Sequence, residues 1–177
     1  MNTAKRFNIL ILCTANSARS ILSEVIANNV GGGRLTAYSA GSHPRGEPNP
    51  DALALIAGKG MDISHLRSKS WEEFAGPDAP QMDLVITVCD NAAGEACPIW
   101  PGAPLKAHWG IADPAGKGKT ASERQAAFQI AWDLLESRFR AFVAEPFETM
   151  TIEEQRDLLL RIGAMDGATE LSRAGQV

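Results

Sequence analysis

A single α/β domain, with a parallel sheet covered on both faces, is the fold class this sequence predicts. Short β-rich apolar runs alternate with stretches of helical periodicity, the pattern of consecutive strand–helix units. The 177 residues suit one well-packed domain and are short for two. No repeat or linker-like stretch divides the chain. In such a sheet, ligands bind at the carboxyl ends of the strands, where the topology switches.

Phe7 to Cys13 is a β-rich apolar run, and the following "SILSEVIANNV" places Ile21, Leu22, Val25 and Ile26 on one helical face. Gly31, Gly32 and Gly33 stop that helix, and "LTAYSAG" reads as a second strand closed by Gly41. "SHPRGEPNP" is a turn-rich loop whose Pro50 opens a helix running to about Lys59. Asp83 to Cys89 is the third strand, and "NAAGEACPIWPGAP" after it is too rich in Gly and Pro for regular structure. "LKAHW" forms a short fourth strand. Thr120 with Glu123, a capping box, starts the longest helix, with Phe128, Ala131, Trp132, Leu135, Phe139 and Phe142 on one stripe and Pro146 past its end. A second capping box, Thr151 with Glu154, opens a last helix through Ile162. Residues 1–162 are therefore read as the domain and 163–177 as a flexible tail.

Composition excludes several function classes. The formal net charge of −4, with no long basic run, lacks the footprint of a nucleic-acid binder. No apolar run approaches the roughly 20 residues of a membrane span, and "MNTAKRFNIL" shows no cleavage-site pattern, so a cytoplasmic protein is expected. Three cysteines fit neither a disulfide scaffold nor an all-cysteine zinc site. In a reducing compartment they are inert core residues or chemistry.

The segment "ILILCTANSARS" favours chemistry. A loop between a strand end and a helix start directs successive backbone N–H groups into one concavity, and the helix dipole favours negative charge there. Arg19 adds a planar fork of donors suited to a tetrahedral oxyanion, while Ala15, Ser17 and Ala18 are small enough for close backbone approach. A cysteine in that field is expected to be a thiolate at neutral pH. Cys13 is thus read as a nucleophile aimed at the centre of a bound oxyanion.

On these residues the chain resembles the low-molecular-weight protein tyrosine phosphatase family, including its thioredoxin-coupled arsenate reductases, from Phe7 to about Val143. The resemblance implies a three-layer α/β/α sandwich with a four-stranded parallel sheet in the order 2-1-3-4. It implies an oxyanion loop of Cys13, Thr14, Ala15, Asn16, Ser17, Ala18, Arg19 and Ser20, in which Asn16 shapes the loop and the Ser20 hydroxyl supports the nucleophile. Asp113-Pro114 matches the family's general acid, and Asn16, Glu24 and Ser39 match a potassium site that some members hold behind the loop.

A phosphatase of this fold needs only Cys13, Arg19 and Asp113. "TVCDNAAGEACPIWPG" resembles the redox loop of the arsenate reductases, one residue wider between its cysteines than in the best-known members. In the implied strand order, Cys89 ends a strand beside the first, within disulfide range of Cys13. The resemblance then implies a relay: Cys13 attacks arsenate, Cys89 attacks the Cys13 sulfur and releases arsenite, and Cys97 resolves the disulfide. The implied reaction needs no tightly bound cofactor. Its partners are arsenate, with phosphate or sulfate as analogues, and an external thiol reductant: thioredoxin, or glutaredoxin with glutathione.

The alternative is a phosphatase. Against it, Ala115 follows Pro114 where such phosphatases favour tyrosine, although Trp100 and Trp109 are available as an aromatic wall. A third reading makes Cys89, Cys97 and His108 metal ligands, without the paired spacing typical of zinc sites. Arg45, Arg67 and Lys69 read as surface charges, and of the three histidines only His108 lies near the proposed site residues in sequence.

Overall fold

The structure, a computed structural model, describes residues 6–96, 98–102 and 104–175. Four strands, β1 (Phe7–Leu12), β2 (Leu35–Ala40), β3 (Leu84–Thr87) and β4 (Leu105–His108), form one parallel sheet in the order β2-β1-β3-β4, as expected. Leu12 lies opposite Ala40 on one side and Thr87 on the other. The carboxyl ends of β1 and β3 are therefore level, and the chain delivers Cys13 and Cys89 to the same end of the sheet.

The period-two alternation of β1 builds two cores. Ile9 and Ile11 join the larger one, with α1 (Arg19–Val30), α4 (Ala121–Val143) and α5 (Ile152–Gly163). Leu10 and Leu12 join the smaller one, closed by Trp71, Phe74 and Trp100 around a 3-10 turn at Trp71–Phe74. The predicted stripe of α4 is buried, and both capping boxes are present: Thr120 accepts from Glu123 N, and Thr151 from Glu154 N. In α2 (Pro50–Gly58), Asn49 caps the first turn and Pro50 occupies it. The start of α1 differs, since its N-cap is Ala18 and no side chain caps it. That uncapped start is where the cradle lies.

Two expectations are corrected. The segment after β3 is not irregular throughout: Asp90–Gly94 forms a short helix, α3, because the Cys89 sulfur serves as its N-cap, accepting from Ala92 N at 3.4 Å. Cysteine is not a customary capping residue, so sequence rules pass over it. The stretch after Gly163 is not a loose tail as far as Gly175. Its Ala168 forms an antiparallel bridge with Ile111, a sixth helix spans Glu170–Arg173, and Ser172 is buried. These contacts are to backbone far away in sequence, which leaves no local pattern to read.

Candidate active site

The turn from β1 into α1 depends on two residues. Asn16 sits at φ 44°, a left-handed conformation that Asn tolerates better than most residues. Its buried amide donates to Ser20 Oγ at 2.8 Å and Ser39 Oγ at 3.0 Å and accepts from Lys69 N at 2.9 Å. Asn16 thus ties the loop to β2 and to the segment at Lys69. Gly41 is the second, at the end of β2. A Cβ there would lie 2.4 Å from Thr14 O and 2.6 Å from Cys13 O, so only glycine lets the strand end approach the loop. The outer loop is held by its carbonyls: Ala15 O accepts from Arg45 N and Ser68 Oγ, and Ser17 O from Asn49 N.

Arg19 opens α1 and reaches across the cradle. Its Nη1 donates to Ile111 O at 2.9 Å, and its Nη2 lies 3.4 Å from Asp113 Oδ2. The Nε is buried without a partner among the described residues, a donor suited to an anion in the loop. Asp113 stands at the mouth with its side chain half-exposed, and its Oδ1 accepts from Ala115 N at 3.0 Å. A small pocket of about 250 Å³ beside it is lined by Arg19, Cys89, Asn91, Asp113 and Thr169, among others, with no aromatic ring. Trp100 and Trp109 do not form a wall. Trp109 is fully buried against Phe139 and Phe142, and Trp100 packs on Trp71 in the smaller core.

Cys13 and Cys89 are both buried free thiols at the same end of the sheet, near enough that each shifts the other's ionisation. Interaction with Cys89, then burial, hold Cys13 well above the ordinary thiol value. Interaction with Cys13, the amides of Ala92 and Thr14 and the field of Arg19 bring Cys89 down to about 5. Thr14 N lies 3.4 Å from the Cys89 sulfur. Among the described residues, the Cys89 sulfur, unlike that of Cys13, accepts from two backbone amides, those of Thr14 and Ala92. Cys97 lies outside the described residues.

Sequence reasoning missed Glu95 and Thr169, and it named His108 and Lys69 without the partners the fold gives them. Glu95, just after α3, accepts from Thr14 Oγ1 at 2.8 Å and ties the segment after β3 to the loop after β1. His108 is buried; its Nε2 is 2.7 Å from Asp90 Oδ1 and its Nδ1 2.8 Å from Thr87 Oγ1. With both ring nitrogens engaged it is not a metal ligand. Among the described residues, no group of three or more His, Cys, Asp or Glu is placed to hold a metal. Thr169 adds its hydroxyl to Asp90 Oδ1 at 2.7 Å. Lys69, read as a surface charge, is only 8% exposed, with Nζ 3.8 Å from Glu24 Oε2. Arg67 is on the surface, paired with Glu73.

Glu24, Ser39 and Asn16 do come together, but not as a potassium cage. Ser39 Oγ donates to Glu24 Oε2 at 2.6 Å, while Asn16 turns its NH2 toward Ser39 and its oxygen toward the Lys69 amide. Only the carboxylate remains as an anionic donor, and the Lys69 ammonium is beside it. The residues do not fit a potassium ion.

The family model described as Low molecular weight phosphotyrosine protein phosphatase matches residues 8–156. The arsenate reductase of Bacillus licheniformis is 38% identical over 135 residues, covering 76% of this chain and 93% of that protein. A solved arsenate reductase in the phosphate binding state superposes with a TM-score of 0.63 at 25% identity, over 78% of this chain and 97% of that one. The tyrosine phosphatase Wzb from Escherichia coli K30, in complex with sulphate, shares the fold, with a TM-score of 0.62 at 19% identity over 79% and 98% of the two chains.

Proposed function

The chain belongs to the low molecular weight phosphotyrosine protein phosphatase family, and on that premise we propose that it is an arsenate reductase using a cysteine relay. One observation carries the choice over phosphatase chemistry: a second thiol, Cys89, lines the pocket beside Arg19 and accepts from Thr14 N, the amide next to the nucleophile, at 3.4 Å. Phosphoester hydrolysis has no use for it, and the ring-free pocket offers nothing to stack on a phenyl group.

The steps balance as follows. Hydrogen arsenate binds between the loop amides and the Arg19 fork. The Cys13 sulfur attacks arsenic; its own proton and that on the arsenate leave together in a water molecule. Asp113 passes the proton to the departing oxygen, and Arg19 with the loop amides holds the charge. The Cys89 thiolate then attacks the Cys13 sulfur. The sulfur–arsenic bonding pair stays with arsenic, which falls from As(V) to As(III) and leaves as arsenite, while a Cys13–Cys89 disulfide forms. Cys97 exchanges into that bond, freeing Cys13, and an external dithiol protein of the thioredoxin class reduces the Cys89–Cys97 disulfide. Glutaredoxin with glutathione is the alternative reductant. A cytoplasmic location accords with this reductant supply, and no described helix is long and apolar enough to cross a membrane.

The test is arsenate-dependent NADPH oxidation in the presence of thioredoxin and its reductase. Turnover that needs Cys13, Cys89 and Cys97, each replaced in turn by Ser, is the expected result. Absent arsenite release, together with hydrolysis of an aryl phosphate that depends on Cys13 alone, makes the protein a phosphatase.

A further inference from the structure

Residues 164–175 lie past the end of the family match at residue 156. They nevertheless return to the site. Ala168 bridges Ile111, whose carbonyl holds Arg19 Nη1. Thr169 N donates to Gly110 O at 3.0 Å, and the Ser172 hydroxyl lies 2.8 Å from His108 O. The segment is fastened at its other end by the fully buried Arg138 of α4, whose Nη2 donates to the carbonyls of Met165 and Asp166.

The contact that matters for chemistry is at Asp90, the first residue of α3 and next in sequence to Cys89. One oxygen, Asp90 Oδ1, receives both Thr169 Oγ1 and His108 Nε2 at 2.7 Å. The packing around this point is tight: a Cβ on Gly110 would come within 2.7 Å of His108 Nε2, Asp90 Oδ1 and Thr169 Oγ1. We propose that Thr169 is a positioning residue for the relay: with His108 it pins Asp90, and so holds the start of α3 where the Cys89 sulfur meets Cys13. The C-terminal segment is thereby a working part of the site. This role rests on the cysteine relay proposed above for its catalytic meaning, and on geometry alone for its structural one.

The test compares wild type with Thr169→Val, Thr169→Ser, Asp90→Ala and the Thr169→Val/Asp90→Ala double variant. Two quantities are read: hydrogen exchange at the amides of Ala92, Ala93 and Glu95, and, in a Cys97→Ser background, the single-turnover rate of Cys13–Cys89 disulfide formation on adding arsenate. Loss of a hydrogen bond to a carboxylate is expected to speed exchange and slow disulfide formation by about tenfold in Thr169→Val. Thr169→Ser restores both, and Thr169→Val adds nothing in the Asp90→Ala background. Unchanged exchange in Thr169→Val, or a Thr169→Val effect that persists in full without Asp90, overturns the assignment. If wild type forms no arsenite, the reductase reading fails, and the exchange data alone decide whether Thr169 positions α3.

Discussion

Cys13 and Cys89 lie at the same end of the sheet and shift each other's ionisation, Cys13 upward and Cys89 downward. The cause is local. Cys89 accepts the amides of Ala92 and Thr14, whereas Cys13 is buried and faces a charged neighbour. In the proposed relay, the amides around Cys89 favour its thiolate, the form that attacks the Cys13 sulfur.

The pair predicts a pH signature. Cys89 is lowered to about 5 from an unfolded value of 9.0, so between those limits the unfolded chain binds the extra proton and stability rises with pH. Its contribution is complete above 9.0 and lost as pH falls through about 5. Cys13, raised, acts in the opposite sense only above 9.0. Ultraviolet thiolate absorbance should show one thiolate forming near pH 5 in wild type and none there in Cys89→Ser, which should also flatten the stability rise. A low titration that survives Cys89→Ser places the charge on Cys13 instead.

Arg19→Lys should weaken phosphate and arsenate binding by about a hundredfold, because a point charge replaces a fork whose Nη1 is anchored on Ile111 and whose Nε is otherwise unpartnered. Calorimetric titration with phosphate reads this directly. An affinity within threefold of wild type means that Arg19 does not grip the anion.

Gly41→Ala forces a methyl group into the Cys13 and Thr14 carbonyls, which cannot retreat without opening the cradle. Overpacking of this kind costs about 1–3 kcal/mol or more. Denaturant unfolding should show the loss, and phosphate binding should fall with it.

Lys69→Met leaves Glu24 buried with only the Ser39 hydroxyl for company, and removing one partner of a buried pair costs about 3 kcal/mol. Burial lowers the Lys69 ammonium from its ordinary value, with Glu24 opposing that shift. The double variant Lys69→Met/Glu24→Gln should recover most of the loss in an unfolding titration. With the ammonium beside Glu24, exchanging sodium for potassium chloride at constant ionic strength should leave wild-type turnover unchanged.

Much of this architecture is written locally. The alternation of β1, the capping boxes at Thr120 and Thr151, Pro50 at the start of α2 and the apolar stripe of α4 each lie within a few residues of one another, so period and capping chemistry determine them. The turn from β1 into α1 was legible for the same reason. Cys13 through Ser20 is one strand end, one turn and one helix start, and the need for small residues and a guanidinium is a local need.

Tertiary structure alone decided what surrounds Cys89, because one of the amides its sulfur accepts is that of Thr14, 75 positions away. It also decided that Lys69 is interior, that Trp100 and Trp109 belong to the cores, and that the segment after Gly163 reaches back to Asp90. Ionisation, burial and long-range hydrogen bonds depend on what the fold brings near a group, and a sequence carries no distance between positions 90 and 169 until the sheet and its helices have closed.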